Sequence, residues 1–431
     1  MEQRPKTLEK DMLLHTVPLL RQAPPLPMRV LLQCTRRSSE GTITCPSQYL
    51  FFRVKYNYKY NHTMIRVFYI FLVILLLGTG YFMFLRSSPI ASFLQKDFLA
   101  TRIAGMSLEE KIGQLLIVGF EHPYLDEHIR EMISRYHIGG VNLLGRNVEN
   151  KAQITALIRE LQALNASGTG IPLFIAADQE GGLISRFTFM RELTPQSVIA
   201  TAEHAEKIAY ARGKELKEIG VTMNFSPLAD YVTDSTAYLW PRVFHGTPVT
   251  ITTNAAAMLR GYLEASIIPV LKHFPGYGNI SPDPHTSIAT LRINTSTLQY
   301  NFFPFEILIK DQDVPAIMTA HIIIPSMDSR PATFSHRFLT ELLRDEWEFQ
   351  GVVITDDLEM GSTGLSAGDA AVAAFKAGAD MMISTKTPSQ QIEIFEALKD
   401  AVARGEIPEA RLNKSMERIL TLKKTVTDTA P

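Results

Sequence analysis

From about residue 100 onward, short apolar runs alternate with longer segments whose apolar positions recur at helical spacing. The runs are QLLIVGF (114–120), IGGVNLL (138–144), PLFIAAD (172–178), VTMNFSP (221–227), IIPVLKHF (267–274), VPAIMTAH (314–321), GVVITDD (351–357) and ADMMIS (379–384). Each is nearly continuous in apolar residues, the pattern of a parallel strand covered on both faces. The intervening segments read as helices. Leu125–Tyr136 gathers Ile129, Met132 and Ile133 on one side, and Glu203–Ile219 does the same with Ala205, Ile208 and Leu216. Ser335–Leu343 opens on a serine cap. Eight strands each followed by a helix predict an α/β chain folded as one (β/α)8 (TIM) barrel domain over residues 100–425. A doubly wound open sheet would more often carry a Gly-rich phosphate loop after its first strand, and VGFEHP is not one.

Upstream lies a different pattern. Val67–Leu85 reads VFYIFLVILLLGTGYFMFL, without a charge and bounded by Arg66 and Arg86. About 20 apolar residues cross a bilayer core, whereas the apolar region of a cleaved signal is about 7–15 residues. The stretch is therefore expected to be a transmembrane signal anchor at 67–85. Cleavage near Ser87, Ser88, Ala91 or Ser92, giving a secreted protein, is the alternative. Lys55, Lys59 and Arg66 outweigh Arg86 and Lys96 across the span, so the amino side is expected in the cytoplasm. The barrel would then be periplasmic or extracellular. Residues 1–63 hold Pro clusters and no periodicity. They are expected to be disordered or a mis-called start, with translation beginning at Met64.

Composition narrows the picture only a little. The net charge is −1, yet residues 1–66 carry eleven Lys/Arg against four Asp/Glu, which leaves the remainder acidic. No basic surface pattern suggests nucleic acid. Cys34 and Cys45 lack metal-ligand spacing. A monomer is expected.

Polar residues end the apolar runs: Asp178, Lys272 with His273, His321, and Asp356 with Asp357. In barrel enzymes the carboxy-terminal ends of the strands carry the active site. Asp356, aimed into the barrel mouth by a rigid strand, is the candidate nucleophile. Lys272 or Arg242 nearby would keep it ionised. Its neighbour Asp357 must point elsewhere, and is expected to cap the following turn. In the loop KHFPGYGNISPDPHTS, Asp283 and His285 face the same way if the segment is extended. The aspartate would then orient an imidazole suited to proton transfer. Spacing alone equally allows a polar surface turn.

GVNLLGRNVEN, AADQEGGLISRF, NFSPLADY, PRVFHG, KHFPGYG, DPH, MTAH and ITDDLEM occur in that order over about residues 105–425. With them the chain resembles glycoside hydrolase family 3, and within it the single-domain β-N-acetylglucosaminidases of the peptidoglycan-recycling type. The resemblance implies a carbohydrate substrate, a retaining mechanism through a covalent glycosyl-enzyme intermediate, and no metal or organic cofactor. It implies Asp356 as nucleophile, His285 backed by Asp283 as acid/base, and Asp178, Arg186, Arg242, Lys272 and His273 as sugar-binding residues. Many family members carry a second domain that supplies a glutamate acid. Here about 75 residues follow Asp356, so the acid is expected from the barrel's own loops. Three positions depart from the family pattern: Tyr277 stands for His, Pro284 for Ser and Leu183 for Arg. A family 3 phosphorylase or β-glucosidase, and a non-catalytic membrane-tethered sugar-binding protein, are the alternatives.

Overall fold

The computed structural model describes residues 89–280, 288–360 and 364–427. All of them fall in one compact unit, Gly78–Pro431. The extension at 1–63, the apolar segment at 67–85 and the Asp283/His285 pair lie outside the described residues. Among the described residues no helix is long and apolar enough to cross a membrane.

Each of the eight apolar runs contains a strand: β1 Leu116–Val118, β2 Gly140–Leu143, β3 Phe174–Ala177, β4 Met223–Asn224, β5 Ile268–Phe274, β6 Ala316–Thr319, β7 Val352–Asp357 and β8 Met381–Ser384. They pair in sequence order, all parallel, and close when β1 meets β8 through Leu116 opposite Met382 and Val118 opposite Ser384. The strands are buried along nearly their whole length, because the barrel interior covers one face and the helical ring the other. The register slips near the ends of β5 and β7, between Leu271 and Phe274 and between Ile354 and Asp357. Such irregularities re-aim side chains and cluster beside active sites.

A helix follows each strand. Glu127–Ser134 follows β1 and Lys151–Ala166 follows β2; Ala202–Ile219, Pro248–Glu264 and Thr295–Asp311 follow β3 to β5. Their starts are fixed by side-chain caps. Asp126, Asn150, Thr201, Thr247 and Asn294 each accept a hydrogen bond from the backbone amide three residues on. The segment after β6 departs from expectation. Ser335 does receive the Phe338 amide on its hydroxyl, but Arg337–Glu346 is π-wound rather than α-helical. Its apolar residues Phe338, Leu339, Leu342 and Leu343 are buried together. Apolar spacing of this kind does not distinguish a wider hydrogen-bond ladder from the α ladder.

At the amino-terminal end of the strands, the fully buried Asp380 ties several elements together. Its carboxylate accepts from Arg344 at 2.6 Å, Arg418 at 3.1 Å, the Ser415 hydroxyl at 2.6 Å and the Val353 amide at 3.0 Å.

Candidate active site

The barrel mouth opens into a cavity of about 230 Å³, and Asp178, Arg186, Arg242, Lys272, His273 and Asp356 all line it. These expected site residues come from four different strands and the loops that follow them, so the closed barrel is what brings them together.

One wall is a charge cluster. Asp178 ends the third run, and the next residues form a hairpin of Gln179–Gly181 against Ile184–Ser185. The hairpin needs its glycines. Gly181 has φ +91°, and a side chain there would meet Thr194 O at 2.3 Å. Buried Arg212 supports the hairpin from behind, donating to Glu180 O and Thr194 O at 2.6 Å each. The turn carries the Glu180 carboxylate inward, where Arg242 grips it with Nε at 2.9 Å and Nη2 at 2.7 Å. Lys272 Nζ lies 2.7 Å from Glu180 and 2.9 Å from Asp178, and Arg186 pairs with the other Asp178 oxygen at 3.3 Å.

Burial by itself would raise both carboxyls. Lys272 with Arg242 outweighs it at Glu180 and holds that group to about 2. Lys272 with Arg186 holds Asp178 still lower. Burial likewise opposes the charge on Lys272, and the two carboxylates overcome it and raise its pKa. The cluster is therefore fixed in its charged form. It presents donors on Lys272 and Arg186 beside acceptors on Asp178, which suits adjacent hydroxyl groups.

His273 is held from below by Asp230, which is fully buried. Nδ1 of His273 lies 2.9 Å from Asp230 Oδ2, and the Tyr277 amide donates to Oδ1 at 2.8 Å. A carboxylate cannot donate, so the proton of that pair sits on the ring nitrogen. Tyr277 packs edge-on to His273, and its hydroxyl accepts from the His321 amide at 3.2 Å.

The opposite wall is the end of β7. Asp356 accepts from the Asp357 amide at 2.8 Å. Among the described residues this is its only hydrogen bond, and no cation pairs with it. Asp357 is turned to a different task, accepting from the Glu359 amide at 3.0 Å and from the Thr385 hydroxyl at 2.5 Å. Burial pushes Asp357 up to about 6, against the pull of those two bonds.

His321, also at a strand end, is fully buried, does not line the cavity, and braces the Asp357 carbonyl at 3.2 Å. Leu183 is 74% exposed at the hairpin tip and does not reach the cavity either. Asp283 and His285 are not described. Sequence reasoning missed Glu180 and Asp230, although both stand inside quoted motifs, and it missed Asn142 on the cavity floor. No group of three or more His, Cys, Asp or Glu among the described residues is arranged to hold a metal.

Residues 107–422 match the glycosyl hydrolase family 3 N-terminal domain. The chain belongs to glycosyl hydrolase family 3. Among its relatives is "Beta-hexosaminidase A" of Pseudoalteromonas piscicida, 34% identical over 330 residues that cover 69% of this chain and 55% of that one. A "Beta-hexosaminidase" of Bordetella avium is 34% identical over 64% of this chain and 81% of its own. A solved family 3 β-N-acetylglucosaminidase from Paenibacillus sp. str. FPU-7 superposes with a TM-score of 0.73 at 32% identity, covering 76% of this chain and 64% of that one. The chain thus spans little more than half of the Pseudoalteromonas relative and under two thirds of the Paenibacillus structure.

Proposed function

We propose that this family 3 protein is a retaining β-N-acetylhexosaminidase that removes terminal, non-reducing β-linked N-acetylglucosamine from peptidoglycan fragments or related oligosaccharides. The observation that carries the reading is the division of labour among the carboxylates at and behind the cavity wall. Asp178 and Glu180 are neutralised by cations, whereas Asp356 is supported, among the described residues, by a single backbone amide and faces the cavity. A carboxylate held in that way can attack. In the first step an Asp356 oxygen bonds to the anomeric carbon as the glycosidic bond breaks, and the departing oxygen takes a proton from His285, which Asp283 orients. In the second step water, deprotonated by His285, displaces Asp356 and restores the carboxylate. Asp178, Arg186, Arg242, Lys272 and His273 hold the sugar. The names carried by the relatives support N-acetylglucosamine as that sugar.

The test is turnover of 4-nitrophenyl N-acetyl-β-D-glucosaminide by the full chain, with and without phosphate. Asp356→Ala should lower kcat by roughly 10³-fold or more, and His285→Ala by about 10²–10⁴-fold. Strong stimulation by phosphate with a sugar phosphate product would replace the hydrolase by a phosphorylase. A folded parent that turns over neither this substrate nor the matching glucoside would sink the enzymatic reading.

The same proposal includes a monomer tethered by residues 67–85, with its catalytic domain on the outer side of the membrane. The uncharged length of that segment and the basic residues preceding it support the tether and its orientation.

A further inference from the structure

The floor of the cavity holds a polar side chain that the reaction just described does not use. Asn142 lies on β2 and is 4% exposed. Side chains two apart on a strand share a face, and Asn142 and Leu144 both line the cavity. The cavity lining also includes the apolar side chains Phe225, Met318 and Ile383. Its Oδ1 is buried, and among the described residues it has no hydrogen-bond partner. Either orientation of the amide leaves one of its polar atoms buried and unpaired among the described residues. Buried polar groups left unpaired are rare because they forfeit the hydrogen bonds water would give. An apolar side chain would fill this position at no such cost.

The barrel register sets the depth of the site. Asn142 is level with Ala176 of β3, so it lies two residues, roughly 7 Å along the strand, below Asp178. A ring gripped by Asp178 and Lys272 would direct one substituent down toward that floor.

We propose that Asn142 is a specificity-determining contact residue whose amide hydrogen-bonds the deepest hydroxyl of the terminal sugar. This rests on the glycosidase reading given above. It gives the depth of the pocket a polar contact, and selects for a ligand that carries a hydroxyl there.

The test pairs protein variants with substrate deoxygenation. With the full chain, Asn142→Leu should lower kcat/KM for the N-acetylglucosaminide about tenfold while leaving Tm unchanged or higher, since it removes an unpaired buried group. For one of the 3-, 4- or 6-deoxy glycosides the penalty should shrink to within about twofold, because the partner hydroxyl is gone. If the Leu variant fails to fold, Asn142→Ala, which is too small to clash, runs the same cycle. A kcat/KM within twofold of the parent, or one penalty common to every deoxy substrate as for a site filled by water alone, overturns the inference and leaves the hydrolase intact. A folded parent with neither turnover nor calorimetric binding of N-acetylglucosamine sinks both.

Discussion

Glu180 does not itself line the cavity, yet two of the three cations of the charged wall depend on it. Lys272 is buried, Arg242 is mostly so, and the two converge on its carboxylate. Without it two positive charges would face Asp178 alone, and breaking a buried pair costs about 3–5 kcal/mol. Its ionisation gives a sign that can be checked. A carboxyl held to about 2, against an ordinary 4.5, stabilises the fold above pH 4.5. That contribution is on the order of 3 kcal/mol and is lost as pH falls from 4.5 toward 2. Glu180→Gln should therefore melt well below the parent at pH 7 and lose activity as Lys272 and Arg242 drift. The gap in melting temperature should close as pH approaches 2, because the parent is then protonated too. A gap independent of pH would refute this account of the cluster. The difference between the two carboxylates also explains what the sequence disclosed. Asp356, Asp178, Lys272 and His273 each end or nearly end an apolar run, so their aim follows from strand direction. Glu180 sits in a short hairpin and Asp230 in a loop, and their partners lie 43 to 92 residues away, a proximity that only the closed barrel creates.

The strands and helices were legible for a simple reason: a strand buried on both faces must be apolar throughout, and eight such runs stand out from the amphipathic helices between them. The π-winding of Arg337–Glu346 was not legible, because its apolar positions keep the spacing of an ordinary helix. The hub that docks this element was equally hidden. Asp380 looks like an unremarkable acid before β8, yet it joins Arg344 of the π-helix, Val353 of β7, and Ser415 and Arg418 of the helix Glu409–Thr427. Arg344 and Asp380 are both nearly inaccessible to solvent. Asp380→Asn would leave several guanidinium groups facing a neutral amide. The expected result is a fall in Tm on the order of 10 °C. The hub lies at the end of the strands opposite the catalytic mouth, so KM measured well below the melting temperature should match the parent. A Tm within two degrees of the parent would mean that solvent or neighbouring acids already compensate those cations. A changed KM with an unchanged Tm would mean that the hub is coupled to the pocket.

For the molecule as a whole, charge is distributed along the chain in a way that bears on where it works. The basic surplus is confined to residues 1–66, immediately before an uncharged run long enough to span a bilayer, while the chain beyond it is acidic overall. Membrane insertion retains Lys- and Arg-rich flanks on the cytoplasmic side, so the proposed anchor predicts an orientation as well as an attachment. Full-length protein should sediment with membranes and resist carbonate extraction, and removal of residues 67–85 should release it. Alkaline phosphatase fused after residue 431 should be active, and green fluorescent protein exported by the general secretory route at the same position should be dark. The opposite pattern of the two reporters would reverse the orientation and place the barrel in the cytoplasm, away from intact cell wall. Soluble enzyme with a new amino terminus between Ser87 and Ser92 would instead establish signal cleavage, and the catalytic barrel would then act as a secreted protein.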